Sequence, residues 1–160
     1  PSFVYGFDFS LGYKNIFMNG LFQGTGARYM QLQEFMRGSN TEYITYDFHK
    51  DFWTEDNPNA AFPRLSTYQN LNAGQNYTVS ADFWYHNAAY LRLKSLQIGY
   101  DFKDHLKDIK GISAVRLSLA GTNIFTISDV TKYFDPEITS QAGYGYPVQR
   151  TYSVNLNITF

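Results

Sequence analysis

Residues able to do chemistry are few in this chain, and most lie between about 49 and 105. Asp51, Glu55 and Asp56 bring carboxylates together in one stretch. Such a cluster could bind calcium, which takes roughly six to eight oxygens, usually from a Gly-turned loop. It could also act as a glycosidase pair, which needs two carboxyls at a set separation across a cleft. Solvated loop charge accounts for the three residues more simply, and no catalytic residue is assigned. His49, His86 and His105 are scattered and include no i, i+4 pair. Metal ligation needs several convergent ligands, so these are read as ordinary polar surface histidines and no metal or cofactor is expected. Trp53, Tyr68, Trp84 and Tyr85 carry flat faces that could stack on sugar rings, with loop packing as the plainer alternative. Arg92 and Lys94 could meet an anionic group, or be merely solvated. Gly20, Gly24 and Gly26 do not make a phosphate loop, because no strand-to-helix context follows them.

Composition narrows the class. The chain has 160 residues, of which 17% are charged and 19% aromatic, with 14 Tyr and 14 Phe. Soluble domains average about 25% charged residues. The net charge of −1 gives no bulk attraction to nucleic acid or to an anionic surface, and no basic run with interleaved aromatics occurs. There is no cysteine, which excludes disulfides, thiol catalysis and cysteine-bound metal. No run of 18 apolar residues exists, so no membrane-spanning helix is expected, whereas a membrane strand needs only alternation. The first residue is Pro1 and there is no signal peptide, as in a mature product or a fragment.

The elements that must position these residues are strands. From Gln149 to Phe160, Tyr152, Val154, Leu156, Ile158 and Phe160 alternate with Thr151, Ser153, Asn155, Asn157 and Thr159. A strand sends alternate residues to opposite faces, so this segment lies between an apolar and a polar medium. The apolar medium could be a soluble core or lipid. Phe3 to Tyr13 alternates in the same way, with Phe7 and Phe9 on its apolar side. Lys14-Asn15 then makes a tight turn, with Asn15 supplying the turn geometry. Leu96 and Ile98 mark the apolar side of a third strand and Leu117 and Leu119 that of a fourth. Strands are expected near 3–13, 16–25, 86–102, 113–125 and 149–160. Long loops are expected near 27–85 and 126–147, with a short amphipathic helix within Tyr29 to Met36.

These five strands have connections that alternate short, long, short, long. Outer-membrane barrels keep turns short on the periplasmic side and loops long outside. Five strands cannot close, and an open edge in lipid leaves unpaired backbone groups that cost several kcal/mol each. The expected fold is therefore all-β: an antiparallel transmembrane β-barrel of which residues 1–160 form the C-terminal part. Phe7, Phe9, Leu96, Ile98, Leu117, Leu119, Val154, Leu156 and Ile158 are its expected lipid-facing residues. The alternative is a soluble β-sandwich that binds carbohydrate through Trp53 and Trp84, with the apolar faces packed on each other.

Several motifs resemble the C-terminal region of the SusC/RagA family of TonB-linked outer-membrane transporters of Bacteroidetes. They are Val4-Tyr5-Gly6 with Gly12-Tyr13-Lys14, then Phe22-Gln23-Gly24, then the loop from Phe52 to Ala60 with Pro63-Arg64. Ala89 to Lys94 with Gly99-Tyr100, Gly121 to Thr126, and Asp135-Pro136-Glu137 with Tyr146-Pro147 follow in family order. Departures are small: Ile124 stands where Leu is usual, and Ser128-Asp129 follows the Thr. The resemblance implies a barrel of roughly 22 strands with a plugged lumen. It implies uptake of a glycan or peptide, with a SusD-like surface lipoprotein as lid. TonB coupling and the plug belong to upstream parts outside this sequence. It further implies that the last strand, with Tyr152 and Phe160, is read by the barrel-assembly machinery.

Overall fold

The computed structural model describes residues 2–32, 47–64, 81–105, 111–138, 146 and 148–160. The chain divides into two units. One comprises Pro1–Arg28, Ala89–Ser128 and Pro147–Phe160, and the other Tyr29–Ala88 and Asp129–Tyr146.

The first unit is an antiparallel sheet of five strands. They are β1 (Val4–Tyr13), β2 (Ile16–Thr25), β5 (Tyr90–Asp101), β6 (Ala114–Ile127) and β7 (Thr151–Thr159), paired in the order β1-β2-β5-β6-β7. At 9 to 14 residues each, these strands reach or exceed the 9–11 or so that cross a bilayer at a tilt. Chain neighbours pair because the alternating segments are joined by short turns or by loops that return to the same end of the sheet. β1 and β2 meet at a two-residue turn in which Tyr13 pairs with Ile16. The left-handed residue of that turn is Lys14, at φ 54°, and not Asn15 as the turn chemistry suggested.

Two irregularities break the ladder. Between β2 and β5 the register shifts so that Phe22 pairs with Leu93 and Leu21 with Ser95, leaving Lys94 extra. Opposite it on β6, Leu93 pairs with Phe125 and Ser95 with Thr122. Asn123, in this bulge, has φ 51°, and its amide Nδ2 donates to the Gln149 carbonyl at 2.9 Å. Bulges set one residue aside and let the strand keep its faces.

The second unit is built on loop segments. Its short strands β3 (Tyr29–Gln31) and β4 (Tyr85–Asn87) pair with each other, Met30 opposite His86. The strand expected near 86–102 therefore divides, its first residues joining this small sheet and the rest forming β5. Tyr29–Gln31 is strand where a helix was expected, because pairing with β4 outweighs a weak local helical pattern. Leu32, Phe62, Trp84, Ala88, Val130 and Phe134 form the unit's core, with Met30, Phe48, Phe52 and Tyr133 packed against it.

Candidate functional site: the two faces of the sheet and the loop core

Antiparallel register decides which side chains share a face, since residues directly opposite one another point the same way. Phe9, Gly20, Leu96, Gly121 and Tyr152 make one row across all five strands. Leu11, Met18, Ile98, Leu119 and Val154 make the next, and Tyr13, Ile16, Tyr100, Leu117 and Leu156 the one after. Phe7 lies in the row of Phe22, Leu93 and Phe125, and Ile158 opposite Val115. All nine residues expected to face lipid thus fall on one continuous apolar face. That face is open: Phe7 is 61% exposed, Leu119 60% and Val154 69%. A sandwich would cover such a face with a second sheet, so the exposure speaks against that alternative.

The other face is polar. Ser10, Asn19, Gln97, Ala120 and Ser153 form one row, and Asp8, Leu21, Ser95, Thr122 and Thr151 another. The side chains bond to one another across strands. Ser10 Oγ donates to Asn19 Oδ1 at 2.7 Å, Gln97 Nε2 to Ser118 Oγ at 3.0 Å, and Arg92 Nε to Thr126 Oγ1 at 2.7 Å. Thr122 and Thr151 share a hydroxyl bond. Arg116 pairs with Asp101 at 3.1 Å and lies over the Phe17 ring, 5.0 Å from its centroid. The Phe17 ring itself lies across Gly99, the residue it pairs with, where any Cβ would collide with it. A cavity of about 470 Å³ on the sheet is lined by Asp8, Ser10, Asn19, Ser95, Gln97 and Thr122 among others. Such a surface offers hydroxyl and amide groups to a polar neighbour and presents few charges.

In the loop unit the candidate aromatics part company. Trp84 is 1% exposed, its ring 6.2 Å from Phe62 and 4.9 Å from Phe83. It belongs to the loop core, and a stacking ligand does not reach it in this conformation. Trp53 is 39% exposed and Tyr85 43%. Tyr68 lies outside the described residues. Tyr29, one of the loop tyrosines, is 69% exposed, and Phe83, which sequence reasoning did not single out, is 54% exposed.

Of the carboxylate cluster, Asp51 belongs to the loop's architecture, while Glu55 and Asp56 lie exposed. Asp51 Oδ1 accepts from Asn57 Nδ2 at 3.0 Å, and its Oδ2 from the Ala61 backbone N–H at 3.1 Å. The Phe62 N–H donates to the Asp51 carbonyl at 3.0 Å, and the Trp53 N–H to the Phe62 carbonyl at 2.8 Å. One aspartate therefore closes the loop from 51 to 62, and the Phe62 ring plugs the core beneath it. Among the described residues no three His, Asp or Glu side chains converge as a metal site would require. His49 is not the surface histidine expected: it is fully buried against the rings of Phe48 and Phe62, at 4.5 and 5.2 Å, because packing in the loop core takes it in. His86 stacks near Tyr133, ring centroids 4.8 Å apart. Burial, and then the nearby Lys132 ammonium, hold the pKa of His86 below the usual imidazole range.

No protein-family model matches the chain. Its whole length aligns with two TonB-dependent receptors of Formosa agariphila, P26 and P3, each at 28% identity. The chain is a relative of TonB-dependent receptors. It spans only 17% and 16% of the length of those two. The same fold occurs in solved structures of the RagAB peptide importer. The open-open state superposes with a TM-score of 0.68 over 98% of this chain at 22% identity, covering 17% of the chain matched. Another structure, of the RagAB peptide transporter, gives 0.69 over 97% at 23% identity. This TonB-dependent-receptor relative is thus all-β and antiparallel, with the strand arrangement of part of a RagA barrel, and its setting is the bacterial outer membrane.

Proposed function

We propose that the chain forms the C-terminal barrel wall and two extracellular loops of a TonB-dependent nutrient importer. The cargo is an oligosaccharide or a peptide, and a SusD-like lipoprotein closes the outer face as a lid. The observation that carries the reading is the sheet itself: one face wholly apolar and open, the other polar and internally bonded, as a lipid-facing wall around a polar lumen requires. The match to TonB-dependent receptors over the whole chain supports it, as does the fold shared with an importer of peptides. The strands play a passive part. Upstream strands of the same protein satisfy the free edges of β1 and β7, and TonB acts through an upstream region. Trp53 and Tyr85 are among the exposed loop aromatics available to cargo or lid.

The test is growth of a bacterium that depends on the whole receptor for one nutrient, supplied as either an oligosaccharide or a peptide. Replacing Trp53 and Tyr85 by Ala is expected to slow growth on one nutrient class while the receptor still reaches the outer membrane in normal amount. Deleting the receptor gene without changing growth on any member of either class would sink the importer reading.

A further inference from the structure

The short-turn end of the sheet carries a second cavity, of about 460 Å³. Its floor is the apolar row at which β1 and β2 end, Tyr13, Ile16 and Tyr100. Its rim comes from the two turns: Lys14 and Asn15 between β1 and β2, and Lys103 and Asp104 after β5. Asn15 joins the turns, its Nδ2 donating to Asp104 Oδ2 at 2.8 Å and to the Tyr100 hydroxyl at 3.5 Å. Among the described residues the rim therefore carries two ammonium groups and one carboxylate, and that carboxylate is held by the Asn15 amide. The Lys14 ammonium stands 5.4 Å from the Tyr13 ring centroid. Lys14 also holds a left-handed backbone, φ 54°, where a tight turn ordinarily uses Gly or Asn. A strained backbone under a long cationic side chain points to use of that side chain.

We propose that this cavity seats the headgroup of an anionic phospholipid, its phosphate between Lys14 and Lys103 and an acyl chain leaving along Ile16. The proposal rests on reading the apolar face as the lipid-facing wall. An apolar floor that ends in two lysines is arranged as the membrane boundary is, oil on one side and phosphate on the other. Lysine suits the place because its stem lies along apolar surface while its ammonium reaches the headgroups. Tyr13 and Tyr100 put amphipathic rings at the same level, where aromatic girdles of barrels sit. Basic pockets beside membrane-spanning segments take lipid phosphates in the same way. The occupant is a membrane lipid rather than free phosphate, because the cavity's larger lining is apolar and opens onto the wall.

The experiment uses the whole receptor carrying this segment, placed in nanodiscs of phosphatidylcholine with or without phosphatidylglycerol, and measures phosphatidylglycerol retained after delipidation by native mass spectrometry. The wild type is expected to retain phosphatidylglycerol over phosphatidylcholine. Lys14→Gln with Lys103→Gln is expected to lower that retention roughly tenfold or more, through the loss of two cations near a headgroup. Lys14→Arg with Lys103→Arg keeps retention, which separates lost charge from a damaged turn. Equal retention by wild type and the glutamine variant would overturn the proposal, and so would displacement of the lipid by inorganic phosphate. Failure of the wild type to form a heat-modifiable barrel in either lipid would instead overturn the membrane-wall reading beneath it.

Discussion

The Tyr5 hydroxyl donates to the Tyr90 backbone carbonyl at 3.1 Å, passing over the whole width of β2. It can do so because the residue under its ring is Gly24, the cross-strand partner of Tyr5, where a Cβ would collide with both the ring and the Tyr90 carbonyl. Three strands are thereby fastened by one side chain. Tyr5→Phe keeps the ring and loses the bond, and is expected to cost about 1 kcal/mol. Gly24→Val displaces the ring as well, and is expected to cost more, about 1–3 kcal/mol as overpacking does. Urea unfolding of the reconstituted receptor checks the order. A Gly24→Val barrel as stable as wild type would show that the crossing is incidental.

A charge placed on the apolar face should behave differently from one placed beside it. Leu119→Lys is expected to destabilise by about 2–4 kcal/mol if that row lies near the bilayer midplane. Ala120→Lys, one residue along and on the polar face, is expected to cost little beyond crowding. Denaturation midpoints in lipid vesicles give both values. Equal penalties would mean that the two faces do not see oil and water.

Loop and sheet should fail separately. Phe62→Ala opens the loop core and is expected to cost about 3–5 kcal/mol there. Asp51→Ala removes two acceptors from the same loop and is expected to cost about 1–3 kcal/mol. Limited proteolysis should then cut residues 47–64 quickly while the strands stay protected. Loss of strand protection in step with the loop would show one cooperative body.

Acid should loosen the loop unit through His86. Burial and Lys132 disfavour its charged form, so the folded state releases the proton at a lower pH than the unfolded chain does. The unfolded chain then binds more protons as the pH falls below the ordinary histidine value of about 6.5. Stability of the unit is full above that value and is lost as the pH drops through it toward the depressed folded pKa. Amide exchange at 82–87 between neutral and mildly acidic pH reads this directly. His86→Gln should flatten the dependence, and an unchanged slope in that variant would assign it elsewhere.

How far the letters foretold the architecture depends on where alternation holds. Phe3 to Tyr13 and Thr151 to Phe160 alternate without a break, and period two alone sorts their side chains into faces. In β5 the reading began at Leu96, and in β6 it ended at Gly121 and Thr122, because both patterns meet the bulge there. Leu91 and Leu93 belong to the apolar face all the same, which only register reveals, while Phe125 keeps the parity of Leu119 and Gly121. Tyr85 to Asn87 reads like the start of β5, yet those residues pair with Tyr29–Gln31. Strands of three residues take their identity from a partner, which no local window contains. Trp84 was legible as a large aromatic in a loop; whether its ring faces a ligand or Phe62 depends on contacts between distant segments. Lys14 was hidden for another reason: the turn was visible, but its left-handed residue was expected to be the asparagine.

Lys94 shows what kind of change such a wall can absorb. In a code of period two, replacing one apolar letter by another keeps the meaning, and kinship can survive after most letters have drifted. Adding one letter inverts everything downstream, unless the extra residue is set outside the count. The bulge at Lys94 is such a correction: Leu91 and Leu93 on one side of it, and Leu96, Ile98 and Tyr100 on the other, still face the same way. Counted without Lys94, β5 alternates unbroken along β2. A residue added to β5 keeps the meaning of the rest only where, as here, it lies outside that count.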